Sequence, residues 1–115
     1  MKLTMKKNLA LSLVILAMAS TNANSATVVG TITRTLSSAP ATFGGCMIAL
    51  SKAIENGCPS IWVSLDCNGK FSSAGERNYS SALMAFSLNK TVVVYIDGVQ
   101  KHNTYCVASR IDILQ

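Results

Sequence analysis

The sequence is poor in the groups that carry acid–base and metal chemistry. It has one histidine and five acidic residues in 115 positions. The acids stand singly, so there is no carboxylate pair of the kind that cleaves glycosidic bonds. No C-x2-C pair exists, and His102 lies four residues before Cys106 with no second ligand pair at matching spacing. A zinc site therefore has no frame. There is no glycine-rich phosphate loop; Gly44-Gly45 alone is nonspecific. No serine sits in a nucleophile elbow. These absences predict a chain with no cofactor, no metal and no catalytic role.

The N-terminus is the most distinctive part of the sequence. Met1 to Lys7 is short and basic, and Leu9 to Ala19 is an uncharged apolar run of eleven residues, followed by small and polar residues. These are the three regions of a secretory signal peptide. The run is too short to span a bilayer, which takes about 20 apolar residues. The expected division is a signal over 1–23, cut somewhere in 19–26, and a single disulfide-stabilised domain over 27–115. Ala17-Met18-Ala19 fits a cleavage site best; Thr21-Asn22-Ala23 and Ala23-Asn24-Ser25 are alternatives. No Cys follows the apolar run before Cys46, which argues against a lipid anchor, and no twin arginine is present. Three of the ten basic residues, Lys2, Lys6 and Lys7, leave with the signal. The net charge then drops from +5 to about +2, with no basic cluster left to attract nucleic acid. The mature protein is expected in the periplasm or outside the cell, without stable membrane insertion.

All four cysteines (Cys46, Cys58, Cys67, Cys106) survive that cut, and an even count in a small exported chain predicts two disulfides. Cys58 to Cys67 reads as a strand, with Ile61, Val63 and Leu65 alternating with Trp62, Ser64 and Asp66. Extended, it would hold the two cysteines roughly 30 Å apart, far beyond the reach of a disulfide. A hairpin with Cys46–Ala53 about the turn Ile54–Gly57, pairing Ala53 with Ser60, places Cys46 opposite Cys67. That leaves Cys58 for Cys106.

The remaining elements follow from periodicity. Thr27–Leu36 is a β-branched strand in which Gly30 is a candidate bulge or bend. Cys46–Ala53 reads as a strand, with a short helix as the alternative. Ser73-Ala-Gly-Glu76 matches a capping box, predicting a helix over about 75–88 with Tyr79, Ala82, Leu83, Met84 and Phe86 as its core stripe. Thr91–Asp97 is the most apolar strand, followed by a loop over 98–103. Tyr105–Leu114 closes the domain, with Tyr105, Val107, Ile111 and Ile113 on one face and Arg110 and Asp112 on the other. The expected class is α+β, mostly β. A five-stranded OB-like Greek-key barrel, with one helix between strands three and four, fits this order. An open antiparallel sheet with one packed helix is the alternative.

Trp62-Val-Ser-Leu-Asp-Cys67, Ser81–Leu88, Lys90–Asp97 and Tyr105–Asp112 together resemble a group of small secreted bacterial proteins. The element order is similar to the OB-fold B subunits of AB5 toxins, especially the pertussis and subtilase type. That resemblance implies a homo-oligomer, a ring of five, binding glycans on host cells. It is one of topology and brings no site residues with it.

From the residues themselves, a binding module is expected rather than an enzyme. Trp62, Ser64 and Asp66 share a face on which a ring could stack against a sugar while polar groups hold its hydroxyls. His102, Asn103 and Tyr105 form a second candidate rim. The plainer expectation is that Trp62 packs under the loop 37–45 or in a subunit interface and that His102, Asn103 and Tyr105 belong to a solvated loop. The partner is then a glycan or protein receptor, or, alternatively, one protein partner of a periplasmic structural or inhibitor-like protein. A small hydrolase would have only His102 as its base.

Overall fold

The computed structural model describes residues 25–115 except Asn56 and Pro59; the expected signal segment, 1–23, lies outside the described residues. Five strands close a barrel in the order β1-β2-β3-β5-β4. They are β1 (Ala26–Ser37), β2 (Cys46–Leu50), β3 (Trp62–Ser64), β4 (Thr91–His102) and β5 (Tyr105–Ile113). A helix, α1 (Gly75–Ser87), lies between β3 and β4. This is the OB-like arrangement that the element order predicted.

β1 serves two neighbours in turn. Its first half, Ala26 to Thr31, pairs with β4; its second half, Ile32 to Ser37, pairs with β2. The register slips between Ile32 and Arg34, two residues after Gly30. At Gly30 itself the demand is space, because a Cβ would meet Ser51 Oγ at 2.7 Å. Val28 and Ile32 point into the core, where Ile48, Leu50, Val63, Leu65, Val92 and Val94 are sealed from water.

The Cys58–Cys67 segment contributes less strand than its pattern suggests: only Trp62–Ser64 pairs regularly. Its partner is β2, with Met47 opposite Ser64 and Ala49 opposite Trp62. That register is two residues from the expected one. A slip of two keeps every side chain on its face. Cys46 and Cys67 are accordingly bonded, with Cα atoms 5.7 Å apart, and Cys58 is bonded to Cys106. Both disulfides match the pairing expected from the sequence.

β4 runs five residues past its expected end. Asp97 Oδ1 accepts the N–H groups of Val99 and Gln100, and pairing with β5 resumes at Lys101. What reads as a loop is a bulge followed by a tight turn at Asn103 and Thr104, both at positive φ. A second bulge, at Ser109, reverses the parity of β5. Cys106 and Ala108 therefore share the core with Ile111, whereas Tyr105 and Val107 leave the face they were expected to share with Ile111 and Ile113.

α1 has the expected span, and Tyr79 and Ala82 of the expected stripe pack on the core, but its cap and the rest of its buried side differ. Ala74 is the N-cap and makes no side-chain cap bond, so the Ser73–Glu76 box does not form. Ser72 Oγ accepts from Ala74 N–H instead. The buried positions are Gly75, Ala82 and Ala85, while Leu83, Met84 and Phe86 of the expected stripe are exposed. Small residues face the barrel because the helix lies very close: a Cβ on Gly75 would run into the carbonyl of Asp66.

Candidate functional site

β3 and β5 run parallel and meet at a single pair, Ser64 with Val107. One pair makes a weak seam, and polar side chains gather over it. The 3-10 turn Phe43–Gly45 lies across Ser64, whose hydroxyl donates to the Phe43 carbonyl and accepts from Asp66 N–H at 3.2 Å. Gly44 (φ 78) lies between Ser64 and His102; a Cβ there would sit 2.7 Å from the imidazole. Only glycine combines that conformation with so close an approach.

Asp66 is the centre of the cluster. Its φ of 59 turns the chain out of β3. Oδ1 lies 2.7 Å from His102 Nε2, and Oδ2 accepts from the N–H groups of Phe71 (2.8 Å) and Ser72 (3.0 Å). Burial pushes the carboxyl pKa up. The hydrogen bonds from His102, Phe71 and Ser72, with the His102 charge, outweigh it and hold the pKa below the ordinary carboxylate value. The Phe71 ring stands edge-on to the imidazole at 5.1 Å.

The structure brings Ser64 and Asp66 of one expected rim together with His102 of the other, turned inward. Ser64, Asp66 and His102 are buried. Asn103 is exposed on the β4–β5 turn, and Tyr105 is half-buried with its ring edge against Phe43. Trp62 is half-buried beneath the Arg34 guanidinium, 5.5 Å from its ring. The register explains that stack: Arg34 and Trp62 flank Ala49 on neighbouring strands, and the small alanine lets the two long side chains meet over it. Trp62 thus packs under Arg34.

Within the cluster Ser64 and Asp66 have their side-chain oxygens engaged. The Ser64 hydroxyl donates to a carbonyl rather than to the imidazole, and both Asp66 oxygens accept hydrogen bonds. Such an arrangement fixes loops, and it does not pair the Ser64 hydroxyl with the imidazole. Phe43, Gly44 and Phe71 were not singled out from sequence; the only signal was the Gly44-Gly45 pair. Among the described residues no group of three or more His, Cys, Asp or Glu side chains could hold a metal ion, and no helix is long and apolar enough to cross a membrane. Two disulfides are the mark of folding outside the cytoplasm. No protein family, curated protein or solved structure matches the chain.

Proposed function

We propose that the protein is an exported, non-catalytic binding module that assembles with copies of itself. The observation that carries this reading is the outer face of α1. From Asn78 to Asn89 the chain has no charged residue. Leu83, Met84, Phe86 and Leu88 are nevertheless exposed, Met84 at 58 % and Leu88 at 60 %. Contiguous apolar surface of this kind marks association sites. A face without charge meets its own copy with no like-charge repulsion.

Two further features support the reading. The groups a hydrolase would draw on, Ser64, Asp66 and His102, are engaged with one another and with backbone. The element order is also similar to that of the toxin B subunits named above, a fold-level resemblance. It adds a glycan on a host cell as ligand class and a ring of five as assembly.

The test is the light-scattering mass of the purified, disulfide-bonded domain, followed by glycan-array screening. A multiple of the monomer mass with glycan capture supports the reading. A monomer silent on every glycan overturns it. A second reading, an inhibitor-like protein with one protein partner, draws on Val99, 73 % exposed at the crest of the β4 bulge. A pull-down from periplasm with wild type and Val99→Asp separates the two.

A further inference from the structure

A cleft of about 520 Å³ lies between the β1–β2 loop, the Cys46–Cys67 disulfide and the first turns of α1. Its size is that of a small-molecule site. Its walls are tied together. Asn68 donates through Nδ2 to the Pro40 carbonyl (3.0 Å) and through its backbone N–H to Gly44 (2.8 Å), and Ser38 N–H donates to Gly45 (2.9 Å). With the disulfide behind them, these bonds hold the cleft in one shape, which lowers the cost of ordering it around a ligand.

The groups facing the cleft are of one kind. Glu76, freed by the absence of the expected capping box, is exposed and makes no hydrogen bond or ion pair with a described residue. The Tyr79 ring packs on the core, while its hydroxyl makes no bond and is not buried. Ser37 and Ser80 are exposed with unbonded hydroxyls. No Lys, Arg or His lines the cleft. An anionic ligand would face the Glu76 carboxylate with no cation to offset it. Hydroxyls, one carboxylate and one tyrosine suit a neutral, polyhydroxylated ligand, whose vicinal hydroxyls donate to the carboxylate.

We infer that this cleft, rather than the Trp62 face, is a binding site for a neutral sugar. The inference rests on the binding-module reading and narrows its ligand class. The test is amide-shift mapping of the disulfide-bonded domain, titrated with lactose, maltose, a mannobiose and sialyllactose. The expected result is that a neutral disaccharide moves the Asn68, Glu76, Tyr79 and Ser80 amides. Sialyllactose binds more weakly than lactose, and Glu76→Gln weakens the neutral sugar at least about tenfold, the worth of a hydrogen bond to a charged group. Tyr79→Phe keeps the packing and weakens binding without unfolding. Shifts centred on Arg34 and Trp62, tighter binding of sialyllactose, or no shift with any of the four sugars overturns the inference. Sugar binding at Trp62 would leave the binding-module reading standing. A monomer binding lactose in the cleft would instead remove self-assembly and keep the site.

Discussion

Asp66 and His102 are 36 positions apart in sequence and 2.7 Å apart in space, and their contact closes the seam where β3 and β5 share one bridging pair. The Cys58–Cys106 disulfide crosses the same seam from the other end of the segment. A barrel whose strand pairing is thinnest at one place is thus held there by side chains.

The first consequence is for stability. Replacing His102 with alanine removes the hydrogen bond to one oxygen of the buried Asp66 carboxylate, and a hydrogen bond to a charged group contributes about 1.5–3 kcal/mol. Urea unfolding of His102→Ala should show a loss of that size. A histidine kept for catalysis would leave the unfolding free energy nearly unchanged.

The second concerns pH. The Asp66 pKa is lowered in the folded state, against about 3.9 for an unfolded aspartate. A group whose folded pKa is depressed contributes stability that is complete above the unfolded value. That stability is lost as pH falls through the folded value. The urea midpoint should therefore decline from about pH 5 downward, and Asp66→Asn should flatten the decline. Parallel acid limbs in the two proteins would remove Asp66 as its source.

The disulfides should rank by the loops they close. Cys58–Cys106 spans 48 positions and Cys46–Cys67 spans 21. Chain entropy gives about 4 kcal/mol for the longer loop and about 3 kcal/mol for the shorter. Paired Cys→Ser variants, unfolded in urea, should lose stability in that order.

Three glycines separate space from conformation. At Gly57 (φ 85) an added Cβ would have nothing within 4 Å, so Gly57→Ala should cost only the left-handed strain, about 1–2 kcal/mol. Gly44→Ala adds a collision with the His102 ring and should cost more. Gly75 sits at the first position of α1, where alanine would ordinarily stabilise by about 1 kcal/mol. The Asp66 carbonyl should reverse that sign. Thermal unfolding of the three variants checks the order.

The legible parts of the fold were those set by periodicity and chain geometry. The parity of Val63 and Leu65, the strand length that forbids a Cys58–Cys67 bond and the hairpin between β2 and β3 led to both disulfides, even with the register two residues off. What was not legible depended on contacts distant in sequence. The alternation that placed Trp62, Ser64 and Asp66 on one outward face was right as a pattern, but the Phe43–Gly45 turn and the β4–β5 hairpin cover Ser64 and Asp66. The Ser109 bulge reversed the face of half of β5, and a β-branched Thr104 at φ 74 is a turn residue that no propensity suggests. Helical spacing marked a stripe on α1 of which Tyr79 and Ala82 do pack on the core, but it could not show how near the barrel lies, and nearness selected Ala85 over Leu83, Met84 and Phe86.

That inversion bears on assembly. If the exposed face of α1 meets a second copy, a charge placed there is buried against its own image. Met84→Glu should reduce the light-scattering mass to that of a monomer. The side chain is 58 % exposed within one chain, so its unfolding free energy at low concentration should stay within about 0.5 kcal/mol of wild type. Ala85→Glu, one position on, is the contrast: it is fully buried against the barrel and should unfold the domain rather than dissociate it. An unchanged mass for Met84→Glu, in a wild type that is itself oligomeric, would move the interface elsewhere, with the Val99 bulge next to be tested.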